Sequence, residues 1–192
     1  MSHFLLILVS SALVNNYVLT KFLGICPFIG VSKRISASIG MGMAVIFVMT
    51  LASAATWLID HFVLAAYGIE FLRTIFFILI IAALVQFIEM VINKTSPALK
   101  SALGIYLPLI TTNCAVLAVT LLNINATYDF LESVINGIGV GVGFTLALLL
   151  MAGLRERMET ADIPRRLQGI PIAFITAGLM SIAFLGFSGL IK

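Results

Sequence analysis

Six stretches of almost unbroken apolar residues alternate with short polar ones along this chain. The apolar runs cover residues 4–24, 37–59, 71–92, 102–122, 131–154 and 170–191. Each is near the ~20 residues that a helix needs to cross ~30 Å of hydrocarbon. The connections read GVSKRIS, DHFVLAAYGIE, NKTSPALKSA, NINATYDF and RERMETADIPRRLQG. The longest of these is 15 residues, at 155–169, too short for a soluble domain. The pattern predicts an all-α integral membrane protein, a single membrane domain over 1–192 with six transmembrane helices. Only Ser2 and His3 precede the first apolar run, with no basic residue, so it reads as a retained span and not as a cleaved signal.

Composition agrees. The chain is 61% hydrophobic and 10% charged, against roughly 25% charged in an average soluble domain. The net charge of +3 forms no face suited to nucleic acid, because the basic residues sit in short loops. Their placement sets topology instead. Lys21, Lys33, Arg34, Lys94, Lys100, Arg155, Arg157, Arg165 and Arg166, nine of the eleven basic residues, fall at the first, third and fifth connections. The second and fourth carry Asp60, Glu70, Asp129 and Glu132. Positive-inside bias then makes the odd connections cytoplasmic and turns both termini outward.

Three crossings followed by three place the second half in the membrane upside down relative to the first. The expectation is an inverted repeat of 1–95 and 100–192. FLGICPFIGVS (22–32) overlays ITTNCAVLAVT (110–120) with the cysteines in register, and GMGMAVIFVMT (40–50) overlays GIGVGVGFTLA (137–147). The glycines in the latter pair suit close helix packing in lipid.

Cys26 and Cys114 are the only cysteines. Cys114 lies 14 residues after Lys100 and 15 before Asp129, about 21–23 Å of helix either way and so near the bilayer midplane. Pro108, Thr111, Thr112 and Asn113 precede it and predict an interrupted fourth span, tolerated only where protein or a cavity surrounds it. Gly24, Pro27 and Gly30 predict an interruption in the first span, at Gly24–Pro27. Extended chain from there to Lys33 lets Cys26 reach the midplane as well. An isolated buried cysteine is ordinarily packing. Two of them, at matching interruptions, point to a soft metal. His3 and His61 fall at the outer surface, so a four-ligand zinc or [2Fe–2S] site needs a second polypeptide. Gly24, Ile25, Thr112 and Asn113 are candidate hydrogen-bond donors to the sulfurs. A Cys26–Cys114 disulfide is the competing use of the pair. Asn15, Asn16 and Asn113 suit interhelical hydrogen bonding, and Lys21 needs to snorkel or find a polar partner.

LVNNYVLTKFLGICPFIGVSK, LGIYLPLITTNCAVLAVTLLNIN and ITAGLMSIAFLGFSGL closely resemble one family of bacterial membrane subunits. It is shared by the Rnf electron-transport complex, in its A-type subunit, and the sodium-pumping NADH:quinone oxidoreductase, in its E-type subunit. VNN at 14–16 and CPF at 26–28 are nearer the Rnf pattern. The resemblance implies a six-helix inner-membrane subunit with inverted symmetry and periplasmic termini, paired with a homologous Rnf E-type subunit. It implies an intramembrane [2Fe–2S] cluster with Cys26 and Cys114 as two ligands and the partner supplying the other two. The implied activity is electron transfer between ferredoxin and NAD coupled to Na+ or H+ transport. An inverted-repeat secondary transporter and a purely structural anchor are the alternatives. The first usually carries ionisable groups at the midplane, and the second needs no cysteines.

Overall fold

In a computed structural model, residues 2–65, 68, 70–95 and 108–186 are described. All regular structure among them is helical. Helix α1 (Ser2–Val9) runs on as a π-helical turn, Ser10–Val14, and is followed after a non-helical segment by α2 (Ile25–Val31). Helix α3 (Ile35–Ile59) also ends in a π-helical turn, Asp60–Leu64. Then come α4 (Arg73–Thr95), the short α5 (Pro108–Thr111), α6 (Cys114–Asn125), α7 (Phe130–Glu159) and α8 (Ile170–Leu185). Among the described residues, three stretches are long and apolar enough to cross a membrane: Ile35–Leu64, Arg73–Val91 and Phe130–Glu159. Phe4–Val14, Cys114–Asn125 and Ile170–Leu185 are shorter apolar helices. Residues 96–101 of the third connection and residues 102–107 of the fourth expected span lie outside the described residues.

Helices α3 and α7 form the centre, and glycines decide how. A Cβ on Gly42 would meet Thr145, one on Gly141 would meet Ile46, and one on Gly137 would meet Ser53. One number rises as the other falls, so the pair is antiparallel. Helix α1 lies along α7 in the parallel sense, with Leu8 against Gly139 and Ala12 against Gly143. Val45, Met49, Ala52, Val140, Phe144 and Leu148 fill the space between. Gly143 is the tightest test of this crossing. An added Cβ would sit 2.7 Å from the Ala12 carbonyl oxygen and 3.0 Å from its Cα. Backbone cannot move aside as a side-chain tip can, so Gly143→Ala is expected to destabilise the protein by about 1–3 kcal/mol. Gly153→Ala, with nothing within 4 Å, is the neutral control in thermal unfolding of the detergent-solubilised protein.

The outer surface is as apolar as the centre. Ile75, Ile78, Leu79 and Phe87 on α4 and Phe174, Ile175, Leu179 and Ile182 on α8 are exposed. Apolar surface on this scale is stable against lipid or another subunit, not water.

Charge sorts to the two ends. At one, Arg155 Nη1 donates to the Ile29 carbonyl (2.7 Å) and to Ser32 Oγ (3.0 Å), and the Ile35 N–H donates to Glu156 (3.3 Å). The first and fifth connections therefore share an end. At the other, Arg73 pairs with Asp60 (2.6 Å), Trp57 Nε1 donates to the Tyr128 carbonyl (3.0 Å) and the Trp57 ring stacks on His61. This end also holds the capping box of α7, Asp129 with Glu132.

Candidate functional site

Both cysteine-bearing spans are broken, though not in the same way. In the first, the helix ends at Val14 and resumes at Ile25. The break thus lies before Gly24 and not at the expected Gly24–Pro27. Pro27 falls in the first turn of α2, where a missing N–H costs nothing. Asn16 sustains the break. Its Oδ1 accepts from the Val18 and Leu19 N–H groups, and its Nδ2 donates to the Gly143 carbonyl at 2.8 Å. Those side-chain bonds replace helical ones and pin the turn to α7. Asn15 bonds locally to Ser10, and Lys21 lies 4.6 Å over the Tyr17 ring. Residues 26–33 do not run extended to the midplane as expected. Helix α2 carries most of that stretch, so Lys33 is only about 10 Å from Cys26 along the axis.

In the fourth span, α5 stops at Thr111 and α6 starts at Cys114. Asn113 caps α6, its Oδ1 accepting from the Ala115 N–H at 3.0 Å. Thr112 is exposed in the turn between them. Cys26 and Cys114 therefore both occupy the first turn of a helix, where the backbone dipoles favour negative charge.

The two breaks face each other. The Gly24 N–H donates to Cys114 Sγ at 2.9 Å. Gly24 takes the left-handed conformation, φ 77°, and a Cβ there would lie 3.0 Å from Asn113 Oδ1 and 3.3 Å from the Ala115 Cβ. Leu109 lies against Gly30 on the same antiparallel crossing. Gly24 and Cys26 are two residues apart, about 7 Å between Cα atoms at most, so the contact brings the second thiol into the same neighbourhood. Both thiols are free and exposed, so no disulfide joins them. Phe22, with φ 54° and half its surface exposed, stands beside them.

Among the candidate donors, the Gly24 N–H reaches a sulfur. Ile25 begins α2 without such a bond to Cys114. Asn113 is buried, and since its Oδ1 serves the cap, its Nδ2 is the amide's remaining donor; it has no partner. Among the described residues nothing accepts from this buried amide, which leaves it available to an acceptor from outside this chain. The interhelical bond expected of Asn16 is present, to the Gly143 carbonyl, but its part in breaking the first span was missed, although two adjacent asparagines in an apolar run are a legible sign of side-chain competition with the helix.

As donors, two free thiols on one exposed face, with an N–H on one sulfur and a spare amide nearby, suit half of an iron–sulfur site. Among the described residues no third Cys, His, Asp or Glu joins them.

Comparison with known proteins identifies the family. A family described as "Rnf-Nqr subunit, membrane protein" matches residues 4–191. The chain belongs to the Rnf-Nqr family of membrane subunits. It is 59% identical over 184 residues to the A-type subunit of the Na(+)-translocating ferredoxin:NAD(+) oxidoreductase complex of Acetobacterium woodii, covering 96% of each chain. It is 58% identical over 192 residues to the A-type subunits of the ion-translocating oxidoreductase complexes of Vibrio atlanticus and Vibrio cholerae, covering 100% of each chain. Membership of a membrane-protein family gives the exposed apolar helices their solvent.

Proposed function

We propose that this chain is the A-type membrane subunit of an ion-translocating ferredoxin:NAD oxidoreductase of the bacterial inner membrane. It carries electrons through a [2Fe–2S] cluster shared with a homologous E-type subunit. Six spans form two inverted repeats, 1–95 and 100–192, with both termini on the periplasmic side. Support for the repeat comes from the antiparallel α3–α7 pair, the facing breaks of the first and fourth spans and the sorting of charge to opposite ends. Support for the Rnf assignment over the quinone reductase comes from full-length identities of 58–59% to A-type subunits.

One observation carries the redox reading: the Gly24 N–H on Cys114 Sγ, which joins the two cysteine-bearing helix starts on an exposed face. Cys26 and Cys114 would hold iron from this side, and two partner thiols would complete the four protein ligands. Bound there, the cluster supplies a one-electron relay within the membrane. The chain's own part is to hold two sulfurs in fixed relation, give one of them a backbone N–H, and keep water from that face once the partner covers it. The absence of a nucleotide loop or cysteine-rich run in the sequence leaves the flavin and nicotinamide chemistry to other subunits. An iron and acid-labile sulfide assay on the whole complex, with EPR at graded potentials, tests the reading. A complex in which every cluster is accounted for by soluble subunits overturns it.

The spare Asn113 amide gives a finer test. A hydrogen bond to a sulfur stabilises the reduced, more negative state and raises its potential. Asn113→Thr keeps a capping oxygen and removes the amide. The midpoint is expected to fall by about 50 mV, roughly a tenfold change for one electron. Asn113→Leu lowers it similarly and also loses stability with the cap. A potential unmoved in both variants removes Asn113 from the site.

A further inference from the structure

A cavity at the basic end is unrelated to the thiols. It measures about 440 Å³ and lies between the turn joining α2 to α3 and the connection from α7 to α8. Lys33, Arg155 and Glu159 supply its charge, and Met158, Ile163 and Ile172 supply apolar wall. Arg155 is preorganised there, since its Nη1 is already held by the Ile29 carbonyl and Ser32 Oγ. Gly169 and Ile172 bring in the start of α8, a 16-residue helix whose N-terminus has no side-chain cap. Gln168 braces the wall by donating to the Ile163 carbonyl at 3.0 Å. Leu167, Ile170 and Phe174 beside it are exposed.

We propose that this cavity binds an anionic glycerophospholipid of the phosphatidylglycerol type, with its phosphodiester on Lys33, Arg155 and the α8 N-terminus. Four features select that chemistry. Two cations against one carboxylate leave the lining with a charge of +1, which matches a lipid of charge −1 better than a zwitterion. Glu159 offers an acceptor to the head-group hydroxyls. The uncapped helix start offers a phosphate the Ile170 N–H alone, since Pro171 has none and the Ile172 N–H donates to the Leu167 carbonyl at 3.1 Å. The exposed apolar residues of α8 leading away from the cavity suit acyl chains, and a basic pocket at the edge of a helical bundle is where anionic head groups settle. The site does not depend on the redox reading.

The test is native mass spectrometry of the intact complex, delipidated in neutral detergent and titrated with phosphatidylglycerol, phosphatidylethanolamine, phosphatidylcholine or inorganic phosphate. Phosphatidylglycerol is expected to be retained best. Lys33→Gln is expected to lower its apparent affinity about fivefold, the usual effect of one basic residue at a membrane surface. Arg34→Gln, which removes a neighbouring charge outside the cavity lining, is expected to leave affinity unchanged. Lys33 is exposed, so its substitution leaves the fold intact. Equal retention of all three lipids overturns the proposal, as does an equal effect of Lys33→Gln and Arg34→Gln. Binding of inorganic phosphate as tight as that of the lipid overturns it in favour of a free-anion site. Protection of Lys33 from amine labelling by a neighbouring protein in the delipidated complex overturns it in favour of a protein contact.

Discussion

Replacing Cys114 with Ser removes one cluster's worth of iron and acid-labile sulfide from the assembled complex and lowers ferredoxin-dependent NAD reduction by more than about 100-fold. Outer partners of metal ligands alone cost 10–100-fold, and a direct ligand costs more. The substitution separates ligation from folding. Ser differs from Cys by one atom, and its hydroxyl still accepts from the Gly24 N–H that now reaches Cys114 Sγ. The cap of α6 belongs to Asn113. The variant should therefore assemble in normal amount and melt within about 0.5 kcal/mol of the parent, as surface substitutions do. EPR and metal content check the loss, and gel filtration checks the assembly. A Cys114→Ser complex with its full iron and unchanged spectrum would falsify ligation by this chain, whatever its activity.

The all-helical, apolar character was legible because lipid imposes a simple rule, long apolar runs, and three of them are helices of spanning length among the described residues. The glycines of GMGMAVIFVMT and GIGVGVGFTLA marked where backbones would touch, but not that these two segments touch each other. The facing breaks were half legible. The fourth opens where Thr112 and Asn113 announced it, because a capping asparagine works locally. The first opens ten residues before Ile25, at Asn15, where no glycine or proline stands. There the helix yields to a tertiary bond, Asn16 Nδ2 to the Gly143 carbonyl, 127 residues away in sequence. Local rules see proline and glycine. They do not see a partner that distant. Pro27 misled for the same reason, since a proline in a first turn and one that ends a helix look alike until the preceding residues are placed.

Gly24→Ala should have the next largest effect, because three demands meet at one Cα. The left-handed conformation at φ 77° costs a residue with a Cβ about 1–2 kcal/mol. The new methyl would sit 2.9 Å from Phe144 Cε2 and 3.0 Å from Asn113 Oδ1. Phe144 is fully buried in the core between α3 and α7 and has nowhere to turn. Moving Asn113 instead weakens the α6 cap, worth about 1 kcal/mol. The sum is a loss of about 2–3 kcal/mol, read as a lower unfolding temperature of the purified complex. Either relaxation also draws the Gly24 N–H from Cys114 Sγ, so the midpoint potential should fall with stability. Gly30→Ala, whose nearest neighbour is the Leu109 Cδ1 at 3.4 Å, and Gly178→Ala, with nothing within 4 Å, carry neither demand. Both should keep the parent's potential, and the second can gain slightly from better helix propensity. Should Gly24→Ala melt and titrate like Gly178→Ala, the two breaks do not touch, and the cysteines lose the contact that makes them a pair.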